Sequence, residues 1–62
     1  MTAEIKREGN VDVLHIRIPV SPPRPSASGK TLVVATSGGN KATAAIVDGK
    51  PVTIGLNAYI QR

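Results

Sequence analysis

The 62-residue sequence predicts an all-β fold of about five short antiparallel strands, a meander or small open barrel that works as an oligomer. Three observations predict it. Runs rich in Val, Ile and Thr alternate with clusters of Gly, Pro, Asn and Asp along the chain. No segment carries the helical apolar period. There is no cysteine and a single aromatic, Tyr59, so the apolar set is aliphatic and the core it can build is small.

Residues 1–8 read as the first strand, with Ala3 and Ile5 on one face and Glu4, Lys6 and Glu8 on the other. Gly9-Asn10 is a two-residue turn signal, because both residue types tolerate the positive φ of tight hairpins. Residues 11–20 read as a long second strand. Leu14, Ile16, Ile18 and Val20 share one face, and His15 and Arg17 the other. Val11 and Val13 fall out of phase with that apolar set, which predicts a β-bulge or a strand end near residues 12–14.

Residues 19–29 interrupt the pattern. Pro22, Pro23 and Pro25 lack the backbone donor, so this stretch is neither helix nor central strand. It reads as an extended, partly polyproline-II connection that crosses the sheet or reaches a neighbouring subunit. Residues 31–36 are a continuous apolar run, suited to a strand buried on both faces. Ser37-Gly38-Gly39-Asn40 is a strong turn signal, residues 41–47 a small alanine-rich strand, and Asp48-Gly49-Lys50 another turn. Residues 51–60 give the clearest strand. Val52, Ile54, Leu56, Ala58 and Ile60 line one face, and Thr53, Gly55, Asn57 and Tyr59 the other. The chain is thus one small β domain over residues 1–62, with a Pro/Ser-rich connection at 19–30.

Composition narrows the function classes. A chain this short buries only roughly 60% of its unfolded surface and is usually reinforced by disulfides, a metal or oligomerisation. Disulfides are impossible without cysteine, and His15 is the only imidazole, so no structural zinc site is expected. Homo-oligomerisation is the remaining route. No basic start with an apolar run marks a signal peptide, and no stretch approaches the ~20 apolar residues of a membrane span. The expectation is a soluble cytoplasmic protein without a membrane partner. Net charge is +4, from eight Lys/Arg against four Asp/Glu. That balance favours nucleic acid or a small anionic ligand as partner; the plainer reading is that it serves solubility.

Ser28-Gly29-Lys30-Thr31 resembles the end of a phosphate-binding loop. The full motif requires glycine at position 24, where Arg24 stands, and a helix afterwards, where a strand pattern follows. A looser use of the same residues survives. Gly29 would expose backbone N–H groups, and Arg24, Ser26, Ser28, Lys30 and Thr31 would surround an anion. The competing reading is an ordinary loop entering a strand. Tyr59 either stacks a base in that setting or serves as a packing residue or interface anchor. One aromatic is too few for sequence-tolerant single-strand binding.

A second basic set, Lys6, Arg7 and Arg17 with His15, lies on the first hairpin. A two-stranded ribbon can enter a major groove with such residues. The alternative is a solvated face balanced by Glu4, Glu8 and Asp12. Pro22-Pro23-Arg24-Pro25 has the outline of an adaptor-domain ligand, and reads more simply as a stiff spacer. A lone His15 without a neighbouring nucleophile, and carboxylates scattered at Glu4, Glu8, Asp12 and Asp48, predict no catalytic residues, no metal site and no cofactor.

Two resemblances add expectations. Lys6-Arg7-Glu8-Gly9-Asn10 followed by Ile16-Arg17-Ile18-Pro19, with the later Val47-Asp48-Gly49-Lys50, resembles the AbrB/MazE swapped-hairpin DNA-binding family. It implies an intertwined dimer with Lys6, Arg7 and Arg17 as DNA contacts. The spacing before Arg-Ile-Pro is about two residues longer than in that family, whose following helix is replaced by residues 21–29. Arg24-Pro25-Ser26, Ser28-Gly29-Lys30-Thr31-Leu32 and the run from Val52 to Ile60 look like small uncharacterised proteins of bacteria and their phages. The leading expectation is therefore a non-enzymatic DNA-binding accessory or regulatory protein of a phage or mobile element. The alternatives are a sequestering binder of a small anionic ligand, such as a nucleotide signal, of the anti-defence type, and a structural or protein-interaction module.

Overall fold

A computed structural model describes all 62 residues and holds seven antiparallel strands and no helix. The strands are β1 (Thr2–Glu8), β2 (Val11–Arg17), β3 (Arg24–Pro25), β4 (Thr31–Thr36), β5 (Lys41–Val47), β6 (Lys50–Ile54) and β7 (Asn57–Gln61). They form three small sheets, β1-β2, β3-β4-β7 and β5-β6. The all-β, antiparallel expectation holds. The strand count differs because the final strand divides and the proline-rich connection contributes a short one.

The first hairpin pairs without interruption from Thr2 opposite Arg17 to Glu8 opposite Val11. Gly9 has φ +64° whereas Asn10 stays at negative φ. That is the type II′ order, with glycine first, and it explains why the turn reads Gly-Asn rather than Asn-Gly. The expected bulge near residues 12–14 is absent. Seven consecutive pairs with β1 hold β2 in one register, so Val11 and Val13 stay on the face of His15 and Arg17, and Val11 is 61% exposed. The strand also stops at Arg17 instead of running to residue 20. Pro19 has no N–H to extend the ladder and biases its predecessor.

The C-terminal half is one long, bent antiparallel ribbon. Its tip is Asp48-Gly49, both at positive φ (52° and 76°), joining β5 to β6 in a two-residue turn. Thr36 lies opposite Asn57, and Lys41 opposite Ile54, so β4 and β5 on one arm face β7 and β6 on the other. Ser37 to Asn40 is therefore not a chain reversal between paired strands. It is a corner in one arm, and Gly55-Leu56 is the matching break in the other. Ser37 ties the corner: its N–H donates to the Leu56 carbonyl (2.9 Å), and its Oγ accepts from the Leu56 N–H (3.0 Å). The Asn40 side-chain carbonyl occupies the space where a Cβ on residue 55 would stand, so only glycine fits there without displacing it.

Two bulges bend the arms further. The register slips between Val33 and Ala35, leaving the Val34 carbonyl to accept from the Ser21 N–H at 2.7 Å. It slips again between Ala42 and Ile46, where the Thr43 Oγ1 donates to the Val52 carbonyl (2.8 Å) and accepts from the Ala45 N–H (3.3 Å). The proline-rich connection lies along β4 as an edge. Only Arg24 and Pro25 enter the ladder, opposite Val33 and Leu32, as proline permits at an edge. Thr31–Thr36 is half-buried apart from Ala35, rather than buried on both faces.

The core sits where β1 packs on the β5-β6 end of the ribbon. Ala3, Ala45 and Ile54 are buried there, with Ile5, Val52 and Leu56 packed against them. Small side chains on β1 and β5 let the two sheets approach closely. Ala35 is the other buried residue, in the three-stranded sheet.

Candidate anion-binding sheet

Directly opposed residues on neighbouring strands share a face. Arg24 opposes Val33, which opposes Tyr59. The three therefore stand in a row across one face of β3-β4-β7, with Arg24 and Tyr59 separated by two strand spacings, about 10 Å. Two residues along, Thr31 opposes Gln61 on the same face, and Ser26 joins them through its N–H to the Thr31 carbonyl (3.0 Å). Beyond the bulge, Thr36 and Asn57 continue it, hydrogen-bonded at 2.7 Å. This face is polar and open: Arg24 is exposed, Tyr59 is 50% exposed, and half-buried Val33 lies between them.

The loop joining β3 to β4 is a compact hydrogen-bonded turn. The Gly29 N–H donates to the Ser26 carbonyl (3.0 Å), and the Lys30 N–H to the Ser28 Oγ (3.3 Å). The Thr31 Oγ1 donates to the Ser26 Oγ (3.0 Å), which lies 3.2 Å from the Ser28 Oγ. The backbone donors of Gly29 and Lys30 are thus committed within the turn, and the expected cradle of free N–H groups is not formed. What the turn presents outward is cationic. Lys30 is exposed, and Arg62 reaches back to donate from Nη1 to the Gly29 carbonyl at 3.0 Å.

Electrostatics separates this sheet from the first hairpin. Residues 2–17 hold Lys6, Arg7 and Arg17 against Glu4, Glu8 and Asp12, so the hairpin carries no net charge. The entire +4 resides elsewhere. Both Lys/Arg ion pairs lie in the hairpin, Lys6 with Glu4 (3.3 Å) and Arg7 with Asp12 (3.2 Å), and a His15–Glu8 hydrogen bond of 2.6 Å stands beside them. No acidic side chain occurs between Asp12 and Asp48, and none after Asp48, so β3, β4, β7 and their turn hold Arg24, Lys30 and Arg62 with no carboxylate side chain to offset them.

The two sequence-level sites fare differently in space. Lys6 and Arg17 lie on one face of the hairpin, four residues apart in register, while Arg7 projects from the opposite face beside Asp12. Arg17 lines a shallow hollow of about 170 Å³ with Thr2 and His15. Arg24, Thr31 and Tyr59 share a face, with Ser28, Gly29 and Lys30 at its end. Arg62 was not among the residues singled out from the sequence. It is remote from the loop along the chain, and the signal that points to it is the acid-free run of sequence around its partners. No family model, curated protein or solved structure matches the chain.

Proposed function

We propose that this protein is a non-enzymatic binding module that holds a phosphate-bearing ligand of nucleotide type on the open face of β3-β4-β7. The observation that carries this reading is the row of Arg24, Val33 and the exposed Tyr59 on one face of a sheet without acidic side chains, with Lys30 and Arg62 at the turn end of that sheet. Guanidinium groups bind phosphate through paired, charge-assisted hydrogen bonds. Tyr59 offers a ring for a base, and Val33 an apolar floor for the sugar between ring and cation. The Ser26, Ser28 and Thr31 hydroxyls are bonded to one another rather than to a base that would activate them, so the arrangement suits retention rather than turnover.

Tyr59 is the only intrinsic fluorophore, which makes the test direct. ATP, inorganic phosphate and a duplex oligonucleotide are titrated into the protein at low and physiological salt. ATP is expected to quench Tyr59 more strongly than phosphate does, and Arg24→Ala to weaken ATP about tenfold, the loss of one charge-assisted hydrogen bond. Arg17→Ala should leave ATP binding unchanged. No response to ATP at low salt sinks the proposal. Duplex binding lost in Arg17→Ala and kept in Arg24→Ala would instead favour the first hairpin as a DNA contact.

A further inference from the structure

We propose that the concave apolar face between the β1-β2 hairpin and the β5-β6 end of the ribbon is the seat of a second copy of this chain. This inference is independent of the ligand reading above. A hollow of about 500 Å³ opens there, lined by Ile5, Leu14, Ile46, Val47 and Val52, with Asp12 and Asp48 beside it. Leu14 is 39% exposed, Ile46 51% and Val47 49%, although each is a large aliphatic group next to the core. Apolar centre and acidic margin have the anatomy of a protein interface.

The dimensions of the whole chain say how much surface a second copy has to cover. A monomer of 6.4 kDa folded to ordinary compactness exposes about 3,800 Å². This chain exposes 4701 Å². The excess, about 900 Å², is close to the ~800 Å² that each partner contributes to a standard interface. The radius of gyration is 14.1 Å, against about 10.6 Å for a compact chain of this length. The ladder is equally incomplete: 24 backbone–backbone hydrogen bonds, where about 40 are usual. A unit with four buried residues needs this surface covered to hold its own fold, and the partner available wherever the chain is made is another copy.

The face also meets the requirement of a two-fold interface, in which one patch must fit itself. Leu14 lines the hollow, and Ile16, exposed as Leu14 is, stands two residues along on the same face of β2. Turning one copy over sets the two apolar faces against each other. Such a pair leaves Arg24 and Tyr59, on the other sheet, outside the contact, with Lys30 in that sheet's turn and Arg62 just past its last strand.

The test is the mass of the intact protein by sedimentation equilibrium, with thermal melts over a wide concentration range. The expected result is a mass of two chains and a Tm that rises with concentration, as linkage requires of a dimer. Leu14→Glu and Ile46→Glu should abolish both behaviours, whereas Val20→Glu, 77% exposed and away from the hollow, should retain them. If either groove variant fails to fold, the concentration dependence of the wild-type Tm still decides. A wild-type mass of one chain with a concentration-independent Tm overturns the proposal. So does a dimer that survives Leu14→Glu.

Discussion

Ile54→Ala should abolish folding, and the reason lies in how the core is made. Of the three clustered buried residues two are alanines, so Ile54, 8% exposed, is the one large side chain fully committed to the contact between β1 and β5-β6. Truncating a buried isoleucine to alanine costs about 2–5 kcal/mol, combining lost transfer energy with the cavity left behind. A domain of this size holds roughly 3–5 kcal/mol in total. The substitution thus removes most or all of the stability. Ile54→Val removes one methylene, costs about 0.5–1.5 kcal/mol, and should lower Tm by about 4–8 °C for each kcal/mol lost. Val20→Ala, at a position 77% exposed, should stay within about 0.5 kcal/mol of wild type. Far-UV circular dichroism melts of the three variants and wild type at equal concentration measure the series. An Ile54→Ala protein that still melts cooperatively within a few degrees of wild type would refute the view that this contact holds the fold.

The corner and bulges make further predictions. Thr43→Val leaves the Ala45 N–H and Val52 carbonyl without their shared partner and should cost about 1–2 kcal/mol in urea denaturation, whereas Thr43→Ser should cost less because the hydroxyl is kept. Ser37→Ala removes the acceptor for the Leu56 N–H and should destabilise by about 1–2 kcal/mol, with faster hydrogen exchange at Leu56 as its local signature. Gly55→Ala should evict the Asn40 side chain, and adding Asn40→Ala should recover part of the lost stability, read from the double-mutant cycle. Gly9→Ala forces a Cβ into φ +64° and should cost about 1 kcal/mol in the same denaturation assay.

Much of the site was legible residue by residue and not as a site. Arg24, Lys30, Thr31 and Tyr59 stood out in the sequence by type, but nothing in it says that Arg24 and Tyr59 share a face. That follows only from Val33 pairing with both. The free N–H cradle expected at Gly29 was lost to a detail of turn geometry, since Ser26 and Ser28 take up those donors. The basic hairpin read from Lys6, Arg7 and Arg17 is electrically balanced by Glu4, Glu8 and Asp12, and strand alternation sends Arg7 to the other face.

The sequence by itself determined the strand class and the positions where the chain turns back. β-branched alternation requires an extended backbone, Gly9 and Asp48-Gly49 tolerate the positive φ of two-residue turns, and the prolines keep residues 19–23 out of any ladder. These are local properties, set by the sterics of one or two residues. Tertiary structure alone decided which strands are partners. Alternation assigns a side chain to one of two faces but carries no information about the neighbouring strand. The run of residues 51–60 has a single period and nonetheless serves two sheets. Its division at Gly55, the corner at Ser37 and the two bulges interrupt the ladder along a ribbon whose β5-β6 end lies against β1, where residues far apart in sequence, Ala3, Ala45 and Ile54, are buried together.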